Sequence, residues 1–170
     1  MNMLNEPYRP KINFPKSMAE KMADMIGIAA ILFSILFIAL NWTSLPAQVP
    51  MHFNGAGEID RWGSKYEMLI MPLIGIGLFI MLQIVERKPH LHNYPERINE
   101  SNVEQFYKTS KKLLNYMKNT CSLTFAYITY EIVTIAKQGK LLLGSATLIV
   151  LLVLLFVIMI IGIVKMMKIK

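Results

Sequence analysis

Apolar residues along this chain fall in long runs separated by short polar stretches, which is how helices that cross a bilayer are punctuated. Residues 25–42 and 68–85 carry no formal charge, and the uncharged run at 141–164 is longer still. Each approaches or exceeds the roughly 20 residues that cross a hydrocarbon core of about 30 Å. A fourth stretch, 119–136, is more polar and holds Thr120, Ser122, Thr124, Thr129, Glu131 and Thr134. Such polarity fits a spanning helix that faces its neighbours rather than lipid. The pattern predicts an all-α integral membrane protein, a bundle of four transmembrane helices.

The segments between these runs have patterns of their own. In the 87–118 segment, Val103, Phe106, Tyr107, Ser110, Leu113, Leu114 and Met117 recur at three- and four-residue spacing, with Glu104, Lys108, Lys111, Lys112 and Asn115 filling the other face. That is an amphipathic helix, and Ser101 followed by Glu104 reads as a capping box at its start near Asn102. It is expected to run into the third span, lying on anionic headgroups or, in a sharper reading, docking a cytoplasmic protein through 102–117. Between the first two runs, the 43–67 loop reads as a built object. Pro46 and Pro50 favour an extended exit from the first helix, Asn54, Gly55 and Gly57 favour a turn, and Met51 to Phe53 is expected to pair with Glu58 to Asp60 as a small hairpin. A hairpin of that size needs the helices beneath it for support. Trp42 and Trp62 are placed at headgroup level. Pro72, Gly75 and Gly77 in the second span, and Gly144, Ser145 and Ala146 in the fourth, predict a kink and close helix approach.

Charge supplies an orientation. Of the 18 lysines and arginines, fourteen fall in 1–21, 86–118 and 165–170, leaving only Arg61, Lys65, Lys137 and Lys140 on the other side. The positive-inside bias then puts both termini and the amphipathic helix in the cytoplasm and the hairpin outside. The domain plan is a cytoplasmic segment at 1–21, a first helical pair at 22–86, the inner segment at 87–118, a second pair at 119–164 and a tail at 165–170. Residues 1–21 are polar and contain Pro7, Pro10 and Pro15, so the first helix is expected to be a retained anchor rather than a cleaved leader. Composition agrees, with 54% hydrophobic residues against roughly 45 to 50% in soluble domains. The net charge of +7 is assigned to lipid-facing loops, and no motif points to nucleic acid. Cys121 is the lone cysteine, and no metal site or cofactor loop is expected.

Two groups of residues are candidates for chemistry. If the hairpin forms, His52, Asp60, Arg61 and Lys65 converge on it, either as a polar recognition site, as a pair in which Asp60 orients His52, or as groups that fix the loop. Glu131 is the other, because an ionisable group at membrane depth is a functional candidate by default. At about 1.5 Å per residue it lies roughly 8 Å from the outer end of its helix. There it is expected to meet Arg61, Lys65 or His52 as a salt bridge, with ion or proton handling as the competing reading.

The loop motif Leu45-Pro46-x-x-Val49-Pro50-x-His52-Phe53-Asn54-x-x-Gly57-x-x-Asp60-x-Trp62-x-Ser64-Lys65, set between two spans and followed by Pro72, resembles the signature of domain of unknown function 1648. That domain forms the N-terminal part of SdpI-like bacterial membrane proteins, some of which protect a producer from its own secreted killing peptide. The resemblance implies that His52, Asn54, Gly57, Asp60 and Lys65 form the family's outer element. It also implies a non-enzymatic protein of the bacterial plasma membrane that binds or senses an extracellular peptide or membrane stress. The alternatives are a transporter or accessory subunit that uses Glu131, for which four helices would suffice only as an oligomer, and a membrane enzyme that uses His52 and Asp60.

Overall fold

A computed structural model describes residues 9–55, 58–139 and 144–170. The order of elements is helix α1 (Met18–Asn41), strands β1 (Gln48–Phe53) and β2 (Ile59–Ser64), then helices α2 (Ile70–Glu86), α3 (Val103–Gln138) and α4 (Gly144–Met167). Short 3-10 turns at Glu67–Leu69 and Pro89–Leu91 lead into and out of α2. Among the described residues three segments are long and apolar enough to cross a membrane: Met18–Asn41, Glu67–Glu86 and Ala146–Met167. The further helix, α3, is the central one, and α1, α2 and α4 all pack chiefly against it.

Exposure follows the logic of lipid. On α1 the buried positions Gly27, Ala30, Ser34 and Ile38 form one narrow stripe of mostly small residues, while Leu36 and Leu40 point outward. Leu73 on α2 and Val150 and Phe156 on α4 are likewise exposed. Large apolar side chains outside and small or polar ones inside is the arrangement of helices in a bilayer, where the outer face needs no polarity and the inner face needs close approach. Gly27 shows how close: a Cβ there would sit 2.1 Å from Asn119 Oδ1 of α3. Gly162 does the same for α4, since a Cβ would come within 2.7 Å of Leu113 Cδ1. Gly75 and Gly77, by contrast, have only ordinary contact or open space beside them. Pro72 lies in the first turn of α2, where its missing N–H costs no hydrogen bond.

The 36 residues of α3 make a rod of about 54 Å, well beyond the thickness of a hydrocarbon core. Its polar residues face inward, as expected: Thr120, Ser122, Thr129 and Thr134 are buried. Four hydroxyls on this helix satisfy themselves by bonding the carbonyl four residues back, Thr109 on Gln105, Ser122 on Lys118, Thr124 on Thr120 and Thr129 on Phe125. The helix stops at Gly139, whose left-handed φ of 66° and N–H bond to the Ile135 carbonyl form a C-cap.

The start of α3 corrects one detail. Asn102, not Ser101, is the N-cap residue, and Ser101 Oγ bonds Asn99 Oδ1 instead. A full capping box occurs instead at another S-x-x-E, with Ser17 and Glu20 bonding each other's backbone N–H at the start of α1.

The first turns of α3 also differ from an isolated amphipathic helix. Val103, Phe106 and Tyr107 are fully covered by the chain itself, in a core with Ile98 and Ile169 that Ile12, Phe14, Tyr94 and Met166 complete. Burial in this core pushes the Tyr94 hydroxyl up to about 12. Arg97 ties the tail down by donating to the Met166, Met167 and Ile169 carbonyls. Ile12 and Phe14, before α1, therefore meet the C-terminal tail at the end of the bundle opposite the hairpin. The apolar stripe that the periodicity left for headgroups or a protein partner is spent, at 103–107, on this internal core.

Candidate functional site

The hairpin is longer than its turn signals suggest. β1 and β2 pair antiparallel from Gln48 opposite Ser64 to Phe53 opposite Ile59, with irregular register on both sides of His52. Asn54 holds the turn twice over: its N–H donates to the Glu58 carbonyl, and its Oδ1 accepts from Glu58 N at 2.9 Å. Gly57, assigned to this element by the resemblance, lies outside the described residues.

Apolar residues fix the hairpin to the helices. Val49 and Met68 are completely buried in a cluster with Leu45, Ile38 of α1 and Ile132 and Val133 of α3. Lys65 adds a polar tie. Its Nζ donates to the Trp42 carbonyl at the end of α1, 3.1 Å away, and stands 4.8 Å from the centre of the Trp42 ring. A cation at a helix C-terminus and over an indole face is favourable on both counts. Tyr66 packs edge-on against the same ring.

The hairpin's other polar residues face away from this core. His52 Nδ1 lies 2.5 Å from Asp60 Oδ1 across the strands, with the two side chains 64% and 43% exposed. Arg61, opposite His52 in register, pairs with Glu67 at 2.9 Å. Glu67 also accepts from Ser64 N, and its carboxylate occupies the space a side chain at Gly63 would fill. Thus His52 and Asp60 form one exposed pair and Arg61 another with Glu67, while Lys65 points back to the helix.

Glu131 takes a different place from the one its depth suggested. It is buried, accepts a hydrogen bond from Tyr127 Oη at 3.1 Å, and Tyr127 also bonds Thr147 of α4. The carboxylate belongs to the seam between α3 and α4. The cations expected to reach it are engaged at the hairpin: Arg61 on Glu67, Lys65 on Trp42, His52 on Asp60.

At the opposite end of the bundle the structure holds a second polar cluster that the sequence pattern hid. Lys16 lies 2.5 Å from Asp24 and 2.8 Å from Glu86, and Lys118 lies 2.8 Å from each of the same two carboxylates. The four groups close a ring of alternating charge that joins the segment before α1 to α1, α2 and α3. Gln83 accepts from both lysines, while Asn115 donates to both carboxylates. Lys118 and Glu86 side chains have no exposed surface, and the Lys118 ammonium lies 4.7 Å from the Phe79 ring centre. Burial acts to lower the Lys16 pKa, but hydrogen bonds and charge from Asp24 and Glu86 outweigh it and hold the pKa above its ordinary value. Asp24, Glu86 and Lys118 each sit at the edge of an apolar run, where a charge reads as loop punctuation. The available signal was on α3, where Asn115, Lys118, Asn119 and Ser122 follow helical spacing and mark a polar stripe.

Among the described residues no group of three or more His, Cys, Asp or Glu is placed to hold a metal ion.

Residues 29–76 match the family model described as "Domain of unknown function (DUF1648)". A curated relative, an uncharacterized protein of Archaeoglobus fulgidus, is 40% identical over 76 residues, which is 44% of this chain and 42% of the relative. The chain thus matches less than half of that relative's length. No solved structure matches the chain. The part of this protein that carries the DUF1648 match is the C-terminal half of α1, the hairpin and the first turns of α2.

Proposed function

We propose that this is a non-enzymatic, multi-pass plasma-membrane protein whose hairpin is an outward-facing element for binding or sensing an extracellular peptide. In this reading α3 is a fourth crossing, both termini are cytoplasmic, and the ring of charges lies near the inner surface. The excess of Lys and Arg at the terminal end supports that orientation. The observation that carries the reading is the division of labour within the hairpin. Val49 and Met68 anchor it in the bundle, which leaves His52, Asp60, Arg61 and the half-exposed Trp62 on a held surface with no role in the core. A rigid aromatic and charged face loses little entropy on binding, and Trp and Arg are the side chains that most often dominate such contacts.

The loop's resemblance to SdpI-like proteins directs the choice of ligand toward secreted killing peptides. The test is a peptide-sensitive bacterial host that expresses the full chain and is challenged with a panel of such peptides. Wild type raises survival or retains labelled peptide at the membrane, and His52→Gln, Asp60→Asn or Arg61→Gln removes the effect at equal membrane abundance. If wild type gives neither protection nor binding, or if all three variants behave as wild type, the reading fails. Reporters fused after Gln138 and Lys170 test the orientation: an outside signal after Gln138 with a cytoplasmic one after Lys170 supports it, and a cytoplasmic signal after Gln138 or an outside signal after Lys170 overturns it.

An exposed His–Asp pair is a weak basis for catalysis, since both groups are well solvated and their interaction is screened. Binding is the better-supported use of this face.

A further inference from the structure

The N-terminal half of α3 and the C-terminal half of α4 line a half-open groove of about 630 Å³, within the range of small-molecule sites. Leu113, Ile158 and Ile161 form an apolar wall, and Lys108, Lys112, Lys165 and the single carboxylate Glu104 are among the polar groups that also line it. Lys108 is paired with Glu104 on the same helix. Lys112 and Lys165 are exposed and make no ion pair or side-chain hydrogen bond among the described residues.

The position of the groove along the bundle gives this lining its meaning. Leu113 packs at the level of Gly162, close to where the apolar run of α4 ends at Lys165. Lys112 lies six residues before Lys118 on α3, so it stands about 9 Å beyond the charge ring, away from the hairpin. Apolar wall and cations therefore succeed one another in the order that acyl chain and headgroup follow in one leaflet. Gly162 leaves space on the α4 wall against which Leu113 rests.

We propose that this groove is a binding site for one anionic phospholipid, with an acyl chain along Leu113, Ile158 and Ile161 and the phosphate between Lys112 and Lys165. Two unpaired cations at one end of an apolar groove match a headgroup with net negative charge and leave a zwitterionic headgroup with its own cation opposed. Such a lipid joins α4 to α3 on the face opposite the charge ring's helices. The proposal rests on the membrane placement of α4 and is independent of any ligand of the hairpin.

The test is native mass spectrometry of the full chain released from nanodiscs that contain equal amounts of phosphatidylglycerol and phosphatidylcholine. Wild type retains one phosphatidylglycerol in preference to phosphatidylcholine. The Lys112→Gln/Lys165→Gln variant reduces that preference on the order of tenfold, while a Lys21→Gln/Lys168→Gln control, with the same loss of charge outside the groove, retains it. Soluble glycerol phosphate, which offers the same anion without a chain, leaves the retained lipid in place. Equal retention of the two lipids by wild type overturns the proposal. So does an equal loss in the control, which would mark diffuse attraction, or displacement by glycerol phosphate, which would mark a site for phosphate alone.

Discussion

The two ends of the bundle are held together by opposite means. At the hairpin end, Val49 and Met68 fill a space between α1 and α3, and the polar groups stay at the surface. At the opposite end, Lys16, Asp24, Glu86 and Lys118 are drawn into the space between α1, α2 and α3, and two of the four lose all contact with solvent. An apolar contact fails gradually when trimmed, because neighbours relax into the gap. A buried ring of charges fails abruptly, because each member is tolerable only while its partners are present. The comparison teaches that the end which looks most polar in sequence is the more exacting in structure, and the end that carries the family match is the more permissive.

Breaking the ring is the largest expected effect. Glu86→Ala leaves Lys118 buried with half of its compensation gone, and removing one partner of a buried ion pair costs about 3–5 kcal/mol. The double variant Glu86→Gln/Lys118→Met removes charge from both sides and recovers most of that loss. Thermal unfolding in detergent, followed by helical circular dichroism, measures both. If the single variant melts with wild type, the ring contributes nothing and the contrast between the two ends collapses.

Trimming the hairpin anchor comes next. Met68 is fully buried in the hairpin-end cluster, so Met68→Ala costs about 2–5 kcal/mol, toward the lower part of that range if Leu45 and Ile132 close the gap. The distinguishing readout is local. Proteolysis or hydrogen exchange speeds up in 45–66 while the 103–118 segment keeps its protection. Uniform loosening of the whole chain would show that the two ends are not independent.

Much of this architecture was legible in the chain, for identifiable reasons. Long apolar runs are read directly, because lipid demands them irrespective of tertiary contact, and α1, α2 and α4 followed. The inward polarity of α3 was legible because Thr120, Ser122, Thr129 and Glu131 suit a face turned to neighbouring helices. The hairpin was legible through Asn54 and its prolines. The charge ring was not, since its members are distant in sequence and each has an innocent local reading at the end of a span. The engagement of Glu131 was missed for a related reason: depth along a helix was judged, but not the face, and the face turns to Tyr127 and α4. The internal core around Phe106 and Tyr107 was hidden because amphipathicity marks a face for burial without naming what covers it.

A smaller effect separates the ring from the rest of the molecule by pH. The Lys16 pKa stands above its ordinary value of 10.5 when folded, through Asp24 and Glu86 prevailing over burial. Its protonated form thus stabilises the fold fully below about that value, and the contribution is lost as pH rises through the higher folded pKa. Lys16→Met is therefore less stable than wild type at neutral pH, and the difference narrows as pH climbs past 10.5. A gap that stays constant across that window would mean Lys16 acts through packing of its alkyl chain.

The smallest effect on stability falls on the residues with the largest expected effect on binding. His52 and Asp60 are exposed, and a solvated pair contributes about 0.2–1 kcal/mol. His52→Gln and Asp60→Asn therefore leave the melting transition almost in place. Their double variant equals either single variant, since one interaction cannot be lost twice. Against this flat background, loss of peptide binding or protection is attributable to the surface itself rather than to the fold. If instead either variant loosens the hairpin as much as Met68→Ala does, the pair is part of the element's structure. The recognition face would then have to be sought in Arg61 and Trp62 alone.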